Sequence, residues 1–174
     1  LDRMTIRCVE DYAKIGLPLD CEALLLKIDH LLVQETVPAA TRSTGGMVAL
    51  PAGFDAPQGC IGVQGGQQRS HSVRNALQAS SGEVVLVHDA ARPLLTADIV
   101  RDCIAGLEGA DAAIAASRVV DTIKAGDEFV ERTLDRAALW AIQTPQAFHR
   151  AVLERALDQD DTILGVATDD ASLV

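Results

Sequence analysis

Val84-Val85-Leu86-Val87 is a run of four branched apolar residues without polar alternation, and it ends at His88. A strand with one wet face alternates apolar and polar side chains, so a continuous run predicts a strand over 84–88 buried on both faces. Such a strand needs a layer of helices above it and another below. The flanking sequence supplies them. Residues 70–79 place Val73, Ala76 and Leu77 on one helical face. Thr96 caps a second helix that runs to 107, with Asp98 in its first turn beside the positive end of the helix dipole.

The rest of the chain keeps this rhythm. Residues 22–34 predict a helix, with Leu24, Leu25, Ile28, Leu31 and Leu32 at helical spacing. Short apolar runs at 47–52, 60–64, 112–116 with 119–120, and 138–142 predict strands. Thr144-Pro145 reads as a helix start, Thr as cap and Pro at the first helical position, for a helix reaching about residue 158. Alternating strands and helices predict an α/β fold, a mostly parallel sheet with helices on both faces and ligands beyond the carboxyl ends of its strands. The 174 residues suffice for one domain spanning 1–174. Residues 121–135 break the rhythm with short alternating stretches around Gly126, which predicts a projecting β-hairpin arm over about 119–137.

The net charge of −10 argues against a nucleic-acid or membrane-surface partner, since both need a basic face. No apolar stretch nears the ~20 residues of a membrane span. No signal peptide is visible, and a cytoplasmic protein is the expectation. Cys8, Cys21, Cys60 and Cys103 form no C-x-x-C pair and read as small apolar side chains in a reducing compartment.

Four constellations could carry chemistry. In His88-Asp89-Ala90-Ala91-Arg92-Pro93, Asp89 can hold a divalent cation and Arg92 can fork onto phosphate oxygens, while the Ala pair admits a ligand to the backbone. A solvated strand-end ion pair is the plainer alternative. Gly65-Gly66 before a polar helix start could offer backbone N–H groups to an anion, or be an ordinary turn. Thr122, Lys124, Thr133 and Arg136 on the arm could grip a phosphate, or be a solvated charged hairpin. Thr168-Asp169-Asp170 reads as a metal-capable carboxylate pair or, more simply, as a helix N-cap. The histidines do not cluster, and no Ser/His/Asp triad has recognisable spacing.

Taken in order, GGQQRSHSVRNAL, VLVHDAARPLL, VVDTIK, TLDRAALWAIQTPQAF and ATDDASLV resemble the successive signatures of the 2-C-methyl-D-erythritol 4-phosphate cytidylyltransferase family. KIGLPLDCEALLLKIDHLL resembles its stretch from a catalytic lysine into the first helix, so the likeness covers roughly residues 14 to 174.

The resemblance implies a Rossmann-like three-layer α/β sandwich and a homodimer joined through the β-arm. It implies a Mg²⁺-dependent reaction of CTP with the polyol phosphate 2-C-methyl-D-erythritol 4-phosphate, in the non-mevalonate isoprenoid pathway. Ribitol 5-phosphate as acceptor, or a non-catalytic dimerising or binding domain without the phosphate loop, are the alternatives. Carried over by position, Lys14 and Arg3 stabilise the transition state, and Gly65, Gly66, Ser72, Asp89 and Ala90 hold CTP. Thr122, Arg136, Asp89 and Arg92 bind the acceptor phosphate, Arg136 also counts among the catalytic residues, and Asp89 holds the metal. The chain starts near the end of the family's Gly-rich opening loop, at Leu1-Asp2-Arg3-Met4, and the family's N-I-K-x-T segment, expected after Val174, is missing. The expectation is therefore a chain incomplete at both ends, with little or no activity if these are the true termini.

Overall fold

The structure is a computed structural model that describes residues 6–10, 31–35, 46–56, 60–89, 92 and 95–174, the first two stretches by backbone alone. The strands are β1 (Ile6–Glu10), β2 (Leu31–Glu35), β3 (Met47–Leu50) and β4 (Ile61–Gln64). Helix α1 (Arg69–Ala79), strand β5 (Val84–Asp89), helix α2 (Ala97–Ala105) and strand β6 (Ala112–Arg118) follow. The arm is β7 (Lys124–Gly126) and β8 (Val130–Thr133). Strand β9 (Trp140–His149) and helices α3 (Arg150–Leu157) and α4 (Asp161–Leu164) complete the chain, with 3₁₀ turns at Arg136–Ala138 and Ala171–Leu173.

Seven strands form one sheet in the order β1-β6-β9-β5-β2-β3-β4. The alternation of its buried side chains explains the layers. Val85 and Val87 of β5, Ala112 and Ile114 of β6, and Phe148 of β9 join one apolar cluster with Val73 and Leu77 of α1 and Leu153 and Leu157 of α3. Leu86, Ala113, Ala115 and Ala147 point the other way and pack with Ile99 and Cys103 of α2. Both faces of the central strands are thus covered, as the run at 84–87 requires. Arg150, the first residue of α3, ties that helix to the end of α1. Its guanidinium donates to the Leu77 carbonyl (3.0 Å), to Ser80 Oγ (2.6 Å) and to the Gly82 carbonyl.

Several expectations need correction. The sheet is mixed rather than mostly parallel: β1–β6 and β3–β4 pair in parallel, but β9 and β2 run antiparallel to both of their neighbours. The helix expected over 22–34 fails at its end, where 31–35 is a strand; 22–30 lie outside the described residues. Leu31-Leu32-Val33 is short and apolar enough for either state, and pairing with β5 and β3 decides it. The strand expected to reach 119–120 stops at Arg118, and Val120 is exposed.

Thr144-Pro145 does not start a helix. It lies inside β9, in a cis peptide bond, and α3 begins at Arg150. The pairing explains why Pro is tolerated here. Ile114 of β6 faces Gln146 and Ala116 faces Ile142, so residues 143–145 bulge out opposite Ala115. A bulge is where a strand can do without a donor N–H. The sheet register then sends Phe148 into the core, where it is fully buried.

The arm is a separate two-stranded antiparallel sheet, as predicted. Its base is braced by Arg136 Nη1 donating to the Val120 carbonyl (2.6 Å) and by Arg118 stacked over the Trp140 ring (3.7 Å). Cys103 is buried, Cys60 half-buried, and Cys8 and Cys21 lie outside the residues whose side chains are described.

Two outcomes follow from the packing. Phe148→Ala should cost about 3–5 kcal/mol, read as a lower urea midpoint. Burial pushes the Cys103 thiol up to about 12. Alkylation of the Cys103 peptide by iodoacetamide at pH 8 should therefore be negligible in the native protein and rapid in denaturant. Native labelling matching the denatured rate would contradict the packing of α2.

Candidate active site

At the carboxyl end of β5 the buried run gives way to His88 and Asp89. A short chain of hydrogen bonds fixes this corner against β9. The Asp89 backbone N–H donates to Thr144 Oγ1 (3.1 Å), and Thr144 Oγ1 lies 3.0 Å from His88 Nδ1. His88 Nε2 lies 2.9 Å from the Arg92 carbonyl. A carbonyl only accepts, so Nε2 carries the proton, and Nδ1 of a neutral ring accepts from the Thr144 hydroxyl. Burial lowers the His88 pKa, which agrees with the neutral ring. The Arg92 N–H closes the turn onto the Asp89 carbonyl (3.0 Å).

A cleft of about 260 Å³ opens beside this corner, lined by Arg69, Asp89, Arg92, 142–144, Gln146, Thr168 and Asp169. Arg69, the first residue of α1, spans it. Its Nη2 lies 3.3 Å from Asp89 Oδ1 and its Nη1 2.5 Å from Asp170 Oδ2. Arg92 Nε stands 3.7 Å from Asp89 Oδ2. Asp170 is 1 % exposed. Burial pushes its carboxyl above the ordinary value, against the pull of Arg69. Burial also opposes the Arg69 charge, but Asp170 and Asp89 more than offset it and raise the guanidinium pKa. The Asp170 carboxyl and the Arg69 guanidinium are thus direct hydrogen-bonded partners, each compensating the other's burial. Gln146 fastens the far wall, its Nε2 donating to Asp169 Oδ2 (2.9 Å) and its Oε1 accepting from the Ala171 N–H (3.2 Å).

The residues singled out from the sequence fall into three places. Asp89 and Arg92 line the cleft; Ala90 lies outside the described residues. Gly65, Gly66 and Ser72 form the turn into α1 and do not line the cleft. There the Gly66 N–H donates to Ser72 Oγ (3.0 Å), and a Cβ on Gly66 would sit 2.2 Å from that of His71, which explains the glycine. Thr122 and Arg136 belong to the arm and are exposed, away from the cleft lining. Arg3 and Lys14 lie outside the described residues. At 168–170 the residues precede a 3₁₀ turn rather than a helix; the Asp170 side chain makes no cap bond, and Asp169 Oδ1 accepts from the Ser172 N–H (3.0 Å). Sequence reasoning missed Arg69, Thr144 and Gln146 as site residues, and it missed the burial of Asp170. Among the described residues no three His, Cys, Asp or Glu side chains gather as a metal cluster.

Comparison with known proteins gives one answer. The family profile described as 2-C-methyl-D-erythritol 4-phosphate cytidylyltransferase matches residues 31–174. A protein of that name from Geobacillus thermodenitrificans is 49 % identical over 114 residues, 64 % of this chain and 50 % of that protein. Another from Symbiobacterium thermophilum is 41 % identical over 178 residues, 93 % of this chain and 71 % of that protein. The crystal structure of the Thermus thermophilus protein of the same name superposes with a TM-score of 0.64 at 37 % identity, covering 73 % of this chain and 64 % of that one. The chain spans about half the length of the Geobacillus relatives it matches.

Two measurements check the corner. Thr144→Val should cost about 1–3 kcal/mol for each buried group it leaves unpaired, here the Asp89 N–H and His88 Nδ1, while Thr144→Ser should recover most of it. Because His88 has a lowered pKa in the fold, the unfolded chain takes up its proton first. Its contribution is complete above about pH 6.5 and is lost as pH falls through the folded value. In metal-free buffer, urea unfolding between pH 7.5 and 5.5 should show that loss, and His88→Asn should flatten it; an equal slope in both proteins would count against the neutral ring.

Proposed function

The chain belongs to the 2-C-methyl-D-erythritol 4-phosphate cytidylyltransferase family, and from that premise we propose that its strand-end cleft serves transfer of a cytidylyl group from CTP to 2-C-methyl-D-erythritol 4-phosphate. An oxygen of the acceptor phosphate attacks the α-phosphorus of CTP. The bond from that phosphorus to the β-phosphate oxygen breaks, and pyrophosphate leaves with the electron pair. The products are 4-diphosphocytidyl-2-C-methyl-D-erythritol and pyrophosphate. Such a displacement needs positioning and charge neutralisation rather than a covalent nucleophile.

The observation that carries the reading is the pairing of Asp89 with two guanidinium groups, Arg69 and Arg92, at the mouth of a buried strand. Arg92 faces the cleft as a fork for phosphate oxygens. Asp89 is a hard oxygen donor with a partly exposed carboxylate. Mg²⁺ commonly takes one or two carboxylates and completes its shell with substrate phosphates and water, so the part-exposed Asp89 carboxylate, with Asp169 also in the lining, fits it. When bound, the cation would neutralise phosphate charge at the reacting centre.

The remaining assignments are part of the proposal. Lys14 and Arg3 stabilise the transition state, Gly65, Gly66, Ser72 and Ala90 contact CTP, and Thr122 and Arg136 hold the acceptor phosphate. The helix layers on both faces support the Rossmann-like reading. The exposed arm, with Phe129 77 % and Val130 66 % accessible, supports a homodimer in which Thr122 and Arg136 reach the second copy's cleft. No helix among the described residues is long and apolar enough to cross a membrane, and a cytoplasmic enzyme is the reading adopted.

The deciding assay is pyrophosphate release from CTP with Mg²⁺ and each acceptor in turn. Turnover with 2-C-methyl-D-erythritol 4-phosphate, abolished by EDTA, is expected; equal or faster turnover with ribitol 5-phosphate would overturn the acceptor assignment. CTP binding without pyrophosphate release would favour a binding domain instead. Arg136→Ala should weaken acceptor binding by about 1.5–3 kcal/mol and leave CTP affinity nearly intact. Unchanged acceptor kinetics would remove Arg136 from the site.

A further inference from the structure

We propose that Arg69 is the positioning residue of this cleft, one guanidinium that holds Asp89 at the end of β5 and, through Asp170, the turn at 168–173 in a single arrangement. The inference rests on reading the cleft as a nucleotide and metal site, and it extends the part of Arg69 there from a partner of Asp89 to the clasp between two walls.

Three parts of the chain meet at Arg69. It opens α1 directly after the Gly65-Gly66 turn, and its two carboxylate partners lie 20 and 101 residues away. One edge of the guanidinium, Nε and Nη2, faces Asp89 Oδ1 at 3.4 and 3.3 Å; Nη1 faces Asp170 Oδ2 at 2.5 Å. Only a planar fork can meet two carboxylates in these directions at once, and an ammonium at the same place would serve one of them. Asp170 is buried, so its charge depends on Arg69 for compensation. Asp170 in turn continues directly from Thr168 and Asp169, which line the opposite side of the cleft. Gln146 grips Asp169 and Ala171 and Thr144 holds the Asp89 N–H, so β9 links the two walls through its backbone. Arg69 joins them directly, by one guanidinium bonded to a carboxylate of each. With Oδ1 of Asp89 committed to Arg69, Oδ2 is the oxygen left on the Arg92 side of the cleft.

The test compares wild type with Arg69→Lys, Arg69→Met, Asp170→Asn and the Arg69→Met/Asp170→Asn double variant. Each is read by melting temperature, by hydrogen exchange of the 166–174 peptide without ligand, and by calorimetric titration with Mg·CTP. Both Arg69 variants should show faster exchange at 168–173 and affinity for Mg·CTP about tenfold weaker or more. The double variant should bind no worse than Arg69→Met alone, since the two residues act along one path. A lowered melting temperature with wild-type affinity in the folded protein would make Arg69 a structural residue only and overturn the proposal. So would strictly additive losses in the double variant, or wild-type exchange in Arg69→Lys. If Arg69→Met does not fold, Arg69→Lys decides alone. Failure of the wild type to bind Mg·CTP would overturn the nucleotide reading, while the exchange arm still decides whether Arg69 clasps the two walls.

Discussion

A strand buried on both faces can offer polar groups only where it leaves the sheet. β5 meets this constraint, and the rest of the molecule is arranged around it. Its side chains alternate between the cluster with α1 and α3 and the cluster with α2, so no polar residue fits before His88. His88 is still buried and has both ring nitrogens paired, and Asp89 is the first side chain of the run to reach the cleft. Both are held by a neighbouring strand rather than by solvent, through the Thr144 hydroxyl. The order of the buried strand thus passes directly to the site.

The same logic explains why β9 has the sequence it has. A strand between β5 and β6 buries both faces where they overlap; Ala147 and Phe148 fill the two apolar clusters there, and Gln146 is admitted because its amide is paired. Beyond the overlap it must reach the polar corner. The bulge at 143–145 turns Thr144 toward His88 and leaves Pro145 where no ladder donor is needed. Gln146 comes straight after the bulge and is nearly fully buried, yet its amide is satisfied by Asp169 and Ala171. The structural strand and the cleft wall are one continuous element.

What the sequence reveals follows from the range of the interactions. β5, α1, α2 and the arm were legible because periodicity, a Thr cap and Gly126 act within a few residues. Asp89 and Arg92 were legible because they are three positions apart at a strand end. The antiparallel insertion of β9 was not, since Thr144-Pro145 carries a strong local helix-start signal that sheet pairing overrides. Leu31-Leu32-Val33 carries no local distinction between a buried helix face and a strand, and its partner strands decide the matter. Arg69 carries no local signal of a role within GGQQRSHSVRNAL, because its partners are carboxylates 20 and 101 residues away. The arm residues Thr122 and Arg136 are a different case. Their predicted role depends on a second copy, so neither local pattern nor the fold of one chain can display it.

The charge balance of the cleft bears on what it can hold. Two guanidinium groups, Arg69 and Arg92, face three carboxylates, Asp89, Asp169 and Asp170, in a chain of net charge −10. Arg69 is already shared between two of those carboxylates, so little of its charge is left for a ligand. A polyphosphate anion therefore has Arg92 but little of Arg69 to draw on here, and is repelled at long range by the rest of the protein. On the proposed reading Asp89 would hold a divalent cation, which would supply positive charge at this corner and offset the local repulsion of phosphate. The acidic corner would then favour a metal–nucleotide complex over the free nucleotide. The basic groups needed to grip the remaining phosphates must then come from outside this corner, where Lys14, Arg3 and the arm's Arg136 are the candidates.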